Sequence, residues 1–265
     1  VFEAAKYIKE YDGKKTLIFD NIKGSSFKLI SNLFLNRNII YKVLGACNEI
    51  ESYKKLIYAM DNPSPPKIID IGEFAKIDKL SQLPILKFYE KDGNYYITSS
   101  IVFAKDLETG FQNASIHRLM YLDDKHLAIR IVPRHLWRIY NKYKRNKCDT
   151  PISIVVGTHL PVYIAAATSP PYGVDELHVA NKIMNDSLRL IITDNDILVP
   201  ANSDFIIKGK ILHDKYVDEG PFTDITGTYD IVRKQPVIKV DEILVSKNEP
   251  FFYQILPAGV EHKLL

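Results

Sequence analysis

The sequence predicts an α+β protein in two parts, an α/β region up to about residue 85 and a strand-rich region after it that suggests a barrel. Three observations carry this. Apolar residues recur at helical spacing in the first part. Six short β-like runs, broken by Gly, Pro and Asp, fill the second. The Pro-rich stretch "DNPSPPKI" (61–68) lies between them as a plausible domain edge.

In chain order, "VFEAAKYIKEY" places Phe2, Ala5 and Ile8 on one helical face, and "KTLIFDNI" (15–22) reads as a short apolar strand. "SSFKLISNLFLN" (25–36) and "ESYKKLIYAM" (51–60) are read as further helices. The β-like runs are "YYITSSIVFA" (95–104), "HLAIRIV" (126–132), "ISIVVG" (152–157), "DFIIKGKIL" (204–212), "PVIKVDEILV" (236–245) and "FFYQIL" (251–256). Helical patterns at 134–146 and 175–186 interrupt them. The first sets Leu136, Ile139, Tyr140 and Tyr143 beneath a wet basic face, with Trp137 as a helix anchor rather than a substrate platform.

Composition excludes several classes. The 265 residues hold 35 basic and 32 acidic side chains, a net charge of +3, which is too balanced for a nucleic-acid partner. No apolar run approaches the ~18 residues of a membrane span. The two cysteines, Cys47 and Cys148, are far apart and in no metal-ligand spacing, which suits a reducing compartment. No signal peptide is visible, and a cytoplasmic location is expected. The first residue is Val1, so a trimmed N-terminus is expected.

One stretch is unusual. "VDEGPFTDITG" (217–227) sets Glu219 and Asp224 on either side of Gly220-Pro221. A helix or flat strand would point residues five apart in different directions, and the Gly-Pro pair excludes both regular forms. The stretch reads as a turn or kinked edge able to aim both carboxylates into one space, or as two solvated loop acids.

Taken together with "YYITSSIVFAKDLETGFQNASIHRLM", "PRH", "SPPYGVDELHVAN", "NDILVPANSDFIIKGKI", "DEGPFTDITGTYD" and "ILPAGVEHKLL", in this order and spacing, the chain resembles the UbiD family of reversible decarboxylases. "FDNIKGSSFKLISNLF" is similar to that family's N-terminal domain, so the resemblance spans residues 16–265. It implies an N-terminal α/β domain (1–88), a split β-barrel of the flavin-reductase type (89–256), and at 257–265 the start of a C-terminal domain that is absent from this chain. It also implies prenylated FMN, a divalent metal (usually Mn2+) and K+ at the flavin phosphate.

By the same resemblance Asn113, His135 and Glu176 match the metal ligands. Amide, imidazole and carboxylate suit such an ion. Each also has a bland reading, as a turn cap, a helix-start residue and a complement to a helix dipole. Arg118, Glu219 and Asp224 match the catalytic set: Arg118 for the substrate carboxylate and flavin, Glu219 as its partner, Asp224 as proton donor with a pKa raised by burial and by Glu219. Asp224 stands where ferulic acid decarboxylases carry Glu. Ser115 and Ile116 are expected to line the flavin. Ser99, Ser100, Ala166 and Ala167 are either small residues near the cofactor or ordinary packing.

The implied activity is non-oxidative decarboxylation of an unsaturated or aromatic acid, such as a polyprenyl-hydroxybenzoate, a cinnamate-like acid or trans-anhydromevalonate phosphate. The missing C-terminal domain makes a homo-oligomer, or a hetero-oligomer with a chain that supplies it, the expected assembly. The alternatives are an FMN-binding redox protein of split-barrel type and a non-catalytic subunit.

Overall fold

A computed structural model of the chain describes residues 2–265. The first region contains helix α1 (Glu3–Glu10), strands β1 (Leu17–Phe19) and β2 (Lys28–Ser31), helices α2 (Arg37–Leu44) and α3 (Glu49–Asp61), and strands β3 (Lys67–Ile68) and β4 (Phe74–Ile77). Asn36 and Asn48 cap α2 and α3, each accepting a backbone N–H from inside its helix.

The second region contains β5 (Tyr96–Lys105), β6 (Gln112–Asp123), β7 (His126–Ile129), α4 (His135–Arg145), β8 (Thr150–Val156), α5 (Leu160–Thr168), α6 (Glu176–Ile183), β9 (Arg189–Ile192) and β10 (Leu198–Pro200). It continues through β11 (Phe205–Glu219), the small strands β12 (Phe222–Thr223) and β13 (Tyr229–Asp230), β14 (Arg233–Ser246), β15 (Phe251–Tyr253) and α7 (Val260–Leu264).

Six strands close a barrel in the order β11-β8-β5-β6-β7-β14, with β14 pairing back onto β11, every pairing antiparallel. Closure leaves none of the six with an open edge. The β5 strand is buried along nearly its whole length, because the barrel interior lies on one face and other elements cover the opposite one. On the outside, α4 packs against β8 and β11, while α5 and α6 pack against β6.

Sequence and structure part at several points. Residues 25–36 form β2 followed by irregular chain, not a helix. Leu29 and Ser31 alternate with Lys28 and Ile30 in burial, and β2 is claimed on both sides, by β1 antiparallel and by β15 parallel. That second partner is more than 200 residues away, so helical spacing lost to long-range pairing. Only residues 251–253 of the run 251–256 are strand, and they join β2 rather than the barrel. Conversely, β4 adds to the barrel sheet by pairing with β14. Trp137 is exposed on α4 rather than buried beneath it.

The chain end folds back on the first region. Glu261 is buried, and its carboxylate accepts the backbone N–H groups of Asn32, Leu33 and Phe34 and the hydroxyl of Tyr253. Asp12 accepts the backbone N–H of Val260. These bonds hold Ile255, Pro257, His262 and Leu265 against the cavity described next.

Candidate active site

A cavity of about 530 Å3 opens beside β6, bounded by the start of α4, the end of α5, the first residue of α6, the 222–225 segment and the chain end. Of the residues expected to act, Asn113, Ser115, Ile116, Arg118, His135, Glu176 and Asp224 line it. Glu219 lies directly behind Arg118. Ala166 and Ala167 also line it. Ser99 and Ser100 do not: their hydroxyls donate to the carbonyls of Tyr253 and His117, which is packing.

Asn113, His135 and Glu176 come from three elements. Asn113 sits on β6 at 1% exposure; Glu176 opens α6 at 2% exposure, behind the Asp175 cap. The Glu176 carboxylate accepts the backbone N–H of Ala114 at 2.8 Å, and its other oxygen stands 3.8 Å from Nδ1 of His135. Tyr172 meets the His135 ring edge-on at 5.2 Å. Tyr172 in turn donates its hydroxyl to Asp106, which also takes the ammonium of Lys142.

Asn113 carries an unpaired acceptor. Its Nδ2 donates to Ser115 Oγ at 3.0 Å, but its Oδ1 is buried with no hydrogen-bond partner. A buried orphan acceptor costs about 1–3 kcal/mol unless something fills it. An amide oxygen, an imidazole nitrogen and a carboxylate form a donor set that fits a divalent ion such as Mn2+. Among the described residues no three His, Cys, Asp or Glu side chains are grouped to hold a metal. A set of the expected residues would therefore need the amide oxygen of Asn113 beside His135 and Glu176.

On the neighbouring stretch of β6, Arg118 forms a fork with Glu219: Nε to Oε1 at 2.9 Å and Nη2 to Oε2 at 2.8 Å. Glu219 is fully buried. The guanidinium carbon also lies 5.1 Å from the centre of the Phe222 ring. The Glu219 position follows from its surroundings: β11 ends there, the cis Gly220–Pro221 bond follows, and Gly93 packs flat on the Gly220 carbonyl while donating its N–H to Pro221 O at 2.8 Å. A Cβ at Gly93 would overlap that carbonyl.

Asp224 stands differently. It is half-buried in the turn of the β12–β13 hairpin, and its Oδ1 accepts the backbone N–H of Thr226 at 2.8 Å and the Thr226 hydroxyl at 2.5 Å. These bonds, with the backbone N–H of Thr228, hold its carboxyl below the usual carboxylate range. The expected upward shift is thus absent in this conformation. Burial and Glu219 were the expected causes; Glu219 is paired with Arg118 instead, and the donors of the turn outweigh the upward push of burial.

Several site residues were not singled out in the sequence. Asp230 lies between three guanidiniums: 3.4 Å from Arg118, 3.7 Å from Arg130, and in a short bond with Arg233. Burial pushes the Asp230 carboxyl up, but the three arginines win and hold it low. Burial and the neighbouring Arg233 and Arg118 push Arg130 down. His117 Nδ1 faces the carbonyl of Arg130 at 3.0 Å, and its Nε2 is 2.9 Å from Ser115 Oγ; burial pushes its pKa down to about 4, so the ring is neutral. The alternation in "NASIHR" could have suggested that Asn113, Ser115 and His117 share one face of a strand. Nothing local signals Asp230.

A closed barrel thus sets a buried Arg–Glu fork and an unpartnered amide oxygen beside one cavity. The chain belongs to the UbiD family: residues 1–60 match the model of the 3-octaprenyl-4-hydroxybenzoate carboxy-lyase N-terminal domain, and residues 66–260 that of its Rift-related domain. It is 39% identical to the anhydromevalonate phosphate decarboxylase of Methanothermobacter thermautotrophicus over all of this chain and 62% of that protein. The identity to the protein of the same name from Methanocaldococcus jannaschii is also 39%, with the same coverage. The chain thus spans about three-fifths of these relatives. Among solved structures, the UbiD-class enzyme HmfF from Pelotomaculum thermopropionicum in complex with FMN matches with a TM-score of 0.94 at 31% identity, over 99% of this chain and 61% of that one. An evolved dimeric form of HmfF in complex with prFMN matches with a TM-score of 0.92 at the same identity, over 99% of this chain and 63% of that one. Among the described residues no helix is long and apolar enough to cross a membrane.

Proposed function

We propose that this chain is the cofactor-binding and catalytic part of a reversible decarboxylase that uses prenylated FMN and a divalent metal. The observation that carries the reading is the buried Arg118–Glu219 fork on the same strand as the unpartnered Oδ1 of Asn113. Together they offer a cation for a carboxylate and a ligand set for a metal in one cavity. When bound, the modified flavin supplies an electron sink for the pair left on carbon as CO2 departs. Asn113, His135 and Glu176 would hold the metal. Ser115 and Ile116 would line the cofactor. The K+ expected beside the phosphate rests on the family resemblance alone.

The chain's own residues do the rest. Arg118 is always charged and forked, so it can bind the substrate carboxylate through the edge it turns to the cavity while Glu219 fixes its plane. Breaking the carbon–carboxylate bond leaves an electron pair on carbon, and forming the new C–H bond requires a proton. We assign that proton to Asp224. In the resting turn Asp224 is held ionised, so it must first gain a proton. An anionic substrate entering the cavity raises its pKa and excludes water.

The resemblance to anhydromevalonate phosphate decarboxylases favours an unsaturated acid that also carries a phosphate. Arg130 and Arg134 on the cavity wall supply cations for it beyond Arg118. The remaining length of the relatives, and the exposed Ile50, Tyr53, Ile57 and Tyr58 on α3, support assembly with further chains or domains. The test is CO2 release by the holo-protein across anhydromevalonate phosphate, a cinnamate and a polyprenyl-hydroxybenzoate. Turnover of the phosphorylated acid above the other two is expected. Release from none of them, with flavin and metal bound, would contradict the reading.

A further inference from the structure

We infer that Ser115 and His117 are positioning residues that lock the Asn113 side chain with its oxygen, and not its NH2, turned to the metal. The inference rests on the metal site proposed above. It starts from a tie that an amide cannot break alone, since its two ends are alike in shape and opposite in hydrogen bonding.

The chain of bonds breaks the tie from its far end. The backbone carbonyl of Arg130 can only accept, so His117 Nδ1 must carry the proton that faces it at 3.0 Å. The neutral ring then has a bare Nε2, which can only accept. Ser115 Oγ, 2.9 Å away, must therefore donate to it. With its proton spent there, Ser115 can only accept from Asn113, at 3.0 Å, so the group facing it is Nδ2. The remaining end of the amide is Oδ1, buried and without a partner. A flipped amide would set Oδ1 against the lone pairs of Ser115 and present two N–H donors to a cation. Four groups on β6 and the strand end beyond β7 thus pass one instruction from a fixed carbonyl to a metal ligand, as outer partners of metal ligands commonly do.

The test reads Mn2+ binding, not turnover. The full chain, purified without flavin, is titrated with MnCl2 in the presence of added FMN, and free Mn2+ is followed by its EPR signal. Melting curves confirm that each variant is folded. Ser115→Ala should weaken Mn2+ binding by roughly 10- to 100-fold, the usual range for such outer partners, and Ser115→Thr, which keeps the hydroxyl, should not. His117→Gln places an acceptor near the Nε2 position and should bind Mn2+ nearly as wild type does. His117→Asn reaches only the Nδ1 position and should bind as weakly as Ser115→Ala. A packing role would not separate Gln from Asn in this way. Glu176→Gln is the control for the metal site itself. If Glu176→Gln weakens binding while Ser115→Ala and His117→Asn do not, or if the Gln and Asn variants are equal, the relay is overturned and the metal site stands. If Glu176→Gln binds Mn2+ as wild type does, the metal site falls and the inference with it.

Discussion

Glu219 and Asp224 stand five residues apart, yet they belong to different worlds. Glu219 ends a barrel strand, has no exposed surface and is locked in a fork with Arg118. Asp224 sits in a hairpin turn, half-buried, with its carboxylate bonded to Thr226 and Thr228 of its own loop. The first acid is set by the fold and the second by a turn of a few residues. The proposed reaction needs both a charge held still and a proton moved; on that reading the barrel would fix the cation, and the hairpin would present the acid.

The contrast can be broken most violently at its rigid end. Arg118→Ala leaves the Glu219 carboxylate buried and unpaired, a change that costs about 3–5 kcal/mol. Urea unfolding should show a loss of that size, along with loss of decarboxylation. An unchanged midpoint would mean that the fork is not part of the stable core. At the hairpin, Asp224→Asn should leave flavin and metal unchanged and cut turnover about 100-fold, the scale of a general acid. If that variant turns over normally while Glu219→Gln is inactive, the roles of the two acids are reversed.

Glu176→Gln should release metal and flavin together, by roughly tenfold or more in affinity, measured by metal analysis and flavin absorbance after dialysis. Full occupancy of both would remove Glu176 from the site. The smallest effect sharpens the comparison. Thr226 holds the Asp224 pKa down, so Thr226→Val should let it rise. A general acid works below its pKa, so the alkaline limb of the pH–rate profile should move to higher pH. No movement would mean that this turn does not set the proton donor.

A stability counterpart lies at Asp106. Burial pushes its carboxyl up, but Lys142, Tyr172 and the backbone N–H groups of Glu108 and Thr109 hold it well below the usual range. A lowered folded pKa adds stability that is complete above the ordinary carboxylate range and is lost as pH falls through the folded value. Asp106→Asn should therefore destabilise the protein at neutral pH and flatten the acid limb of its stability curve, checked by melts across pH.

Much of the barrel was legible because its strands alternate or run apolar between Gly, Pro and Asp breaks. The β6 strand was harder to read as a strand for the reason that makes it useful: Gln112, Asn113, Ser115, His117 and Arg118 interrupt its apolar pattern. The β2 strand was misread because its partners lie far away, and β15 because its sheet is not the barrel. Asn113, His135, Glu176, Arg118, Glu219 and Asp224 were legible only through the order of motifs across the whole chain. The Asp230 cluster was not legible, since its three arginines come from three separate segments that meet only when the hairpin folds.

The proposed function requires this cavity to hold a prenylated flavin and a divalent metal together. The most direct measurement is the absorbance and mass of the flavin released from protein purified after expression with a prenylated-FMN supply, together with its metal content. Prenylated FMN and about one manganese per chain are expected, both lost in Glu176→Gln. Plain FMN alone under that supply, or no flavin at all, would contradict it.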